Sequence, residues 1–331
     1  MDTSFDIIPE DEAYAEMASS LLAVIEQGPR GTWRMPWHAV TGGRPVNAFT
    51  GRAFKGQNVL ALWSAAKRRR FATHQWASRD SWCKKGGSPP ADDEGTAILV
   101  PVFDEAAPPG RWLPGRRAPR SLGPLGGDPA GGEMRALIGF KRERWFNVAQ
   151  VAGVTIAPPA RASPSEAAGQ LLAALESWRG RSADRGPALS HGGIRAFWRA
   201  DVDRIQMPPL NAFGDFDGLS GLEFYAGTLA HEHIHATGSK GRLARPSLLN
   251  YKGVSRAKEE MVAEIGAAFL GARFGLASRQ RPDHAQYVQS WLGAIGARNR
   301  DSALIWAIAE AEKAADYIAG REEPREHRRT K

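Results

Sequence analysis

The sequence predicts an α+β chain in two parts, a small mixed N-terminal part joined to a mostly helical C-terminal part. Three observations carry this. Helical spacing in the first seventy residues gives way to a strand-like run, Ala97–Phe103. Beyond residue 165 helical spacing dominates. Between these stretches, Gly and Pro break the chain at 104–132 and again near 158–165.

Each element has its own justification. Tyr14, Met17, Ala18, Leu21, Leu22 and Ile25 recur every three or four residues, so 11–27 reads as an amphipathic helix stopped by Gly28-Pro29. Asn58–Lys67 reads as a second helix, and a short element is expected within Thr73–Cys83. The proline in Ala97–Phe103 puts that strand at a sheet edge or ends it. Residues 104–132 read as a flexible insertion, and order resumes near Phe146–Val151. Ser163 or Ser165 suits the cap of a helix over 165–178. Strands are expected at Gly193–Trp198 and Asp203–Pro209. Helices are expected at about 221–235, 255–271, 283–296 and 301–319, the first closed by a left-handed Gly238. The expected domains are 1–158 and 165–331.

At 331 residues, with 42% hydrophobic and 24% charged, the composition is globular and long enough for two modest domains. A single cysteine, Cys83, excludes a disulfide framework and a cysteine metal cluster. The acidic N-terminus lacks a signal-peptide pattern, and no apolar run reaches 18 residues, so no membrane association is expected and the cytoplasm is the default location.

The strongest motif is His231-Glu232-His233-Ile234-His235. Positions i and i+4 share a helix face, so His231 and His235 can reach one metal while Glu232 polarises its bound water as general base. The acidic run Glu259-Glu260…Glu264 on the next helix offers a third ligand. Glu260 is preferred and Glu264 is placed behind it as support for an imidazole, or the reverse; Glu259 is expected to point elsewhere. Zn2+ is the expected ion, with Mn2+ the alternative. Tyr225 and Tyr251 are candidates to steady an oxyanion. The motif therefore reads as a metal-dependent hydrolase core.

The net charge is +8 and the pI about 9.8. Residues 28–90 hold twelve Lys or Arg against one acid, Asp80, interleaved with aromatics. Cations neutralise phosphate and flat rings stack on unpaired bases, so single-stranded DNA is the expected partner. The candidate contacts are Trp33, Trp37, Arg44, Asn47, Arg52, Lys55, Asn58, Lys67, Arg68, Arg69 and Arg70.

Taken together, the strings GGRPVNAFTGRAFKGQNVLALW (Gly42–Trp63), WASRDSW, TAILVPVF, DRIQMPP (Asp203–Pro209), YAGTLAHEHIHATG and SRAKEEMVAEIGAAFLGARFG resemble the ArdC-type antirestriction proteins of conjugative plasmids. That resemblance implies a single-stranded DNA-binding domain followed by a zincin-like metallopeptidase domain. It implies that Arg44, Asn47, Arg52, Gly56 and Asn58 form a shared N-terminal motif, and that His231, Glu232, His235, Glu260 and Glu264 match the metallopeptidase motifs. Ala236 and Ser239 depart from the pattern, as does the acidic turn at Asp92–Glu94. The main expectation is a DNA-binding zinc metallopeptidase acting in antirestriction, with a DNA-associated protein as substrate. The alternatives are a non-enzymatic DNA-coating antirestriction protein with a structural metal site, and a metal-dependent nuclease.

Overall fold

The computed structural model describes residues 7–26, 43–103, 137–157, 162–181, 186–215, 218–276, 294–296 and 299–320. The expected insertion at 104–132, Trp33, Trp37 and most of the helix expected at 283–296 lie outside these residues.

The fold is α+β, as the sequence predicts. In the N-terminal part, α1 (Glu10–Glu26) precedes β1 (Val46–Asn47), α2 (Gly56–Arg69), β2 (Gln75–Ser78), α3 (Arg79–Lys84), β3 (Thr96–Phe103) and β4 (Leu137–Asn147). The four strands form one sheet in the order β1-β2-β4-β3, with β1 parallel to β2 and the other pairs antiparallel. Pro101 sits opposite Phe140 on the edge strand β3, where its missing N–H costs no interior ladder bond. Apolar α2 residues Leu62, Ala65 and Ala66 cover Trp76 and Ile98 of the sheet. Tyr14 of α1 lies against Phe140 of β4, their rings 5.1 Å apart.

The C-terminal part begins with α4 (Pro164–Gly180). Ser163 caps it through a reciprocal box with Glu166, and Pro164 occupies the first turn, where no N–H is needed. A three-stranded sheet follows, β5 (Ala188–His191), β6 (Phe197–Arg199) and β7 (Arg204–Met207), in the order β5-β7-β6. Three larger helices, α5 (Gly221–Thr237), α7 (Gly253–Arg273) and α8 (Arg300–Ala319), pack together with α4, and the short α6 (Pro246–Leu249) joins α5 to α7. Ser220 and Glu223 form a second capping box at the start of α5.

Gly238 closes α5 with φ −78°, so it is not the left-handed cap expected. Its lack of a side chain serves a close approach, because a Cβ there would lie 2.7 Å from Nη2 of Arg245. The core runs through both parts without a break. Leu171 and Trp178 of α4, Ile234 of α5, Phe269 of α7 and Ile308 of α8 belong to the same buried cluster as Leu21 of α1 and Leu60 and Trp63 of α2. No helix among the described residues is long and apolar enough to cross a membrane.

Candidate metal centre

Helix α5 brings His231 and His235 to one face, and α7 crosses it with its acidic residues. The contact between the helices is close: a Cβ on Gly266 would lie 2.9 Å from Cγ2 of Ile234. The two imidazole Nε2 atoms are 3.2 Å apart. Oε2 of Glu260 lies 3.6 Å from Nε2 of His231 and 3.7 Å from Nε2 of His235. His231, His235 and Glu260 thus offer three donor atoms within 4.8 Å of one another.

Each imidazole is backed by a carboxylate on its far nitrogen. Nδ1 of His231 is 3.3 Å from Oε2 of Glu264. Nδ1 of His235 is 3.1 Å from Oε1 of Glu259. Such partners fix the ring and leave Nε2 aimed at the metal position. Glu260 therefore stands at the cluster and Glu264 behind it. Glu259, expected to point elsewhere, is fully buried behind His235. It accepts two hydrogen bonds from the buried Arg245, each of 2.8 Å, and one of 2.5 Å from Ser247.

The electrostatics follow from this packing. Burial alone would depress the His235 imidazole, but hydrogen bonds to Glu259 and Glu260 outweigh it and push the group up to about 10. His231 moves the same way for the same reasons, with Glu260 and Glu264 as partners. Burial would raise the Glu259 carboxyl, yet Arg245 and His235 hold it down at about 2. Glu260 is likewise lowered, by the two imidazoles against its burial. His233 faces away, its Nδ1 2.7 Å from the Leu229 carbonyl, and burial lowers it to about 3. Metal-free, the cluster is a pair of protonatable rings around a carboxylate. Two imidazoles and one carboxylate suit a divalent transition ion, which would take the place of the protons.

The remaining predicted residues have other surroundings. Glu232 is buried and lines a cleft of about 1090 Å³ that opens over the cluster, but it lies outside the three-residue set. The Tyr251 hydroxyl donates to Glu260. The Tyr225 hydroxyl is 2.7 Å from Nε2 of His191. Both oxyanion candidates are thus already engaged.

The predicted DNA contacts divide sharply. Arg44 is buried and ion-paired with Glu312 at 2.5 Å. Oδ1 of Asn47 accepts from the backbone N–H groups of Phe49 and Thr50, which shapes a turn. Asn58 is buried and exchanges two hydrogen bonds with Leu99, joining α2 to β3. Nη2 of Arg44, Oδ1 of Asn47 and both amide atoms of Asn58 are thus engaged inside the fold. Lys55 pairs with Asp316 at 3.8 Å, and Arg69 pairs with Asp93. Arg52, Arg68 and Arg70 are exposed, and Lys67 is half-buried.

Fold and site together define a two-part α+β protein whose C-terminal helices carry a candidate divalent-metal site. Family models match both parts, the N-terminal domain of anti-restriction factor ArdC over residues 11–108 and a zincin-like metallopeptidase over 181–311. An uncharacterized protein y4eC of Sinorhizobium fredii is 30% identical over 93% of this chain and 91% of its own. The metal-free crystal structure of the antirestriction ArdC protein from plasmid R388 is 28% identical, with a TM-score of 0.63, over 92% of this chain and 96% of its own. Its Mn(II)-bound structure is 27% identical, with a TM-score of 0.62 and the same coverage. A DNA primase TraC of Escherichia coli is 28% identical over 89% of this chain, which spans only 26% of that protein. The chain belongs to the ArdC family of antirestriction proteins.

Two expectations change. The zinc expectation gives way to manganese, because the matching ArdC structure carries Mn(II) and the cluster here offers two imidazoles and a carboxylate. The expectation of a zinc metallopeptidase also gives way. The matching crystal structures, which cover 92% of this chain, are both of an antirestriction protein, and what they support is a metal site rather than a demonstrated peptidase centre. The zincin-like description of 181–311 is a likeness of that part and assigns no reaction to it.

Proposed function

We propose that this chain is a non-enzymatic antirestriction protein that coats single-stranded DNA entering the cytoplasm on a mobile element, with a metal site that braces its C-terminal helices. The observation that carries this reading is the match to ArdC structures over 92% of the chain, together with the basic excess of residues 28–90. Phosphate neutralisation by that excess supplies sequence-independent affinity. An occupied strand is closed to other proteins without any turnover.

His231, His235 and Glu260 would hold Mn(II), with Glu259 and Glu264 orienting the two rings. The ion supplies positive charge that ties α5 to α7. No protein substrate enters this reading.

The test is protection of incoming DNA in cells carrying Glu232→Gln, beside Mn(II) content and single-stranded DNA affinity of the purified variant. All three should match the unaltered protein. Loss of protection with metal content and DNA affinity intact would sink the reading.

A further inference from the structure

The N-terminal motif ends inside the protein. The Arg44 Nη2 donates to both oxygens of Glu312, at 2.7 and 2.5 Å, and the guanidinium lies 5.0 Å from the centre of the Phe269 ring. Glu312 also accepts from the Gly56 N–H at the first residue of α2, at 3.1 Å. Arg273 of α7 is 3.5 Å from the same carboxylate and pairs with Asp316, which also faces Lys55. Two turns further along α2, on the same face as Gly56, Trp63 lies 6.0 Å from Phe269, and its Nε1–H donates to the Gly43 carbonyl. Arg44, Lys55 and Gly56 therefore converge on α8, while Phe269 and Arg273 bring in the end of α7.

The same α7 carries Glu259, Glu260 and Glu264 at its other end. Thirteen residues separate Glu260 from Arg273, about 20 Å of helix at 1.5 Å per residue. Between them the Gly266–Ile234 approach pins α7 to α5. Arg44 and Glu312 have side-chain exposures of 4% and 1%, and undocking would strip either charge of its partner in an apolar setting.

We infer that α7 is a strut shared by two sites, so that filling the metal site tightens the docking of the N-terminal motif, residues 43–60, on Glu312. Arg44 is then a positioning residue and not a DNA contact. The physical route is linkage. Metal binds only the assembled α5–α7 pair, so it suppresses every opening in which α7 loosens, including those that release Phe269 and Arg273 from the motif. This inference rests on the reading of the metal as a brace, and it gives that brace a target.

The experiment is backbone hydrogen exchange on the full chain with and without Mn(II). Mn(II) should slow exchange at 229–238 and 257–266, and also at 43–60, Gly56 included. In Glu312→Gln, protection should persist at the metal helices and disappear at 43–60. Arg44→Lys keeps the charge but loses the two-pronged bond. It covers the case in which Glu312→Gln does not fold, and protection at 43–60 should shrink there while protection at 229–238 stays. The inference is overturned if Mn(II) protects the metal helices of the unaltered protein but not 43–60, or if the variants keep full protection at 43–60. Single-stranded DNA affinity, measured on the same samples, separates this failure from failure of the DNA-coating reading.

Discussion

Replacing Glu259 with Gln should weaken both the fold and the metal site, because one carboxylate serves both. Glu259 and Arg245 are fully buried, and the carboxylate takes two bonds from the guanidinium, one from Ser247 and one from His235. Removing one partner of such a pair costs about 3–5 kcal/mol, because the surviving charge is left without compensation. Gln keeps one acceptor oxygen, so the loss should fall near the low end, about 3 kcal/mol. Unfolding entropy of about 2.1 cal/mol/K per residue gives about 0.7 kcal/mol/K for a chain of this length. Tm should therefore fall by about 4 °C if the chain melts as one unit.

The same change removes the acceptor that fixes the His235 ring. Loss of such a partner costs about 10–100-fold in metal affinity. Calorimetric titration with Mn(II) and a thermal scan would measure the two effects on one sample. Glu264→Gln is the control: it also backs an imidazole, at 3.3 Å from His231, while the fully buried Arg245 pair belongs to Glu259. It should weaken Mn(II) binding with a smaller fall in Tm. If Glu259→Gln binds Mn(II) within about twofold of the unaltered protein, well below the usual loss for such partners, then the argument that Glu259 orients His235 is refuted.

Other outcomes follow from the same geometry. With the His235 imidazole raised to about 10, its contribution to metal-free stability is complete below the ordinary value of 6.5 and is lost as pH rises towards 10. The Tm of the metal-free protein should therefore fall across that window while Mn(II) affinity rises, because the ion displaces protons; a pH-independent affinity would contradict this. Asn58→Ala leaves the Leu99 N–H and C=O without their partners, at about 1–3 kcal/mol for each group stranded. It should lower Tm yet spare DNA affinity below the transition, whereas lost DNA affinity at an unchanged Tm would return Asn58 to the DNA surface.

The sequence made part of this architecture legible for a physical reason. A pair of histidines four apart on a helix must share a face, so His231 and His235 are readable from spacing alone, whereas Glu260 and Glu264 are themselves four apart and spacing leaves the choice between them open. Glu259 is different. Adjacent helical residues point about 100° apart, which argues against two neighbours serving one site. Here Glu260 faces the Nε2 atoms while Glu259 reaches the back of His235, where Arg245 folds in from the α5–α6 connection. The run Arg245-Pro-Ser247 ahead of an acidic pair was the available signal. Arg44 misled for a related reason. A basic residue in a glycine-rich, aromatic segment resembles a phosphate contact, while its carboxylate partner lies 268 residues away. Strand β5 went unread because Ala188–His191 carries no clear alternation, and β1 is only two residues long.

The internal use of Arg44, Asn47 and Asn58 narrows where DNA can be met, and the basic run after α2 is the sharpest place to test it. Its four members are not equivalent. Arg69 pairs with Asp93, whose carboxyl is lowered chiefly by that hydrogen bond and which also takes bonds from Gln150 and the Gly95 N–H. Arg69 thus fastens the end of α2 to the loop before β3. Arg70 adopts the left-handed conformation that ends the helix, at φ 56°, and Arg68 and Arg70 are exposed. All three also sit at a helix C-terminus, which cations stabilise whether or not DNA is present. Loss of affinity alone therefore cannot separate phosphate contact from helix stability, but the salt dependence can. Each lost phosphate contact on a single strand should reduce the slope of log K against log salt by about 0.7. The double variant Arg68→Ala, Arg70→Ala should lose about 1.4 in slope and little Tm. Arg69→Ala should lose Tm and leave the slope unchanged. A double variant with the full slope would move the phosphate track away from the end of α2. Arg52 and Lys67 would be the next of the predicted residues to test.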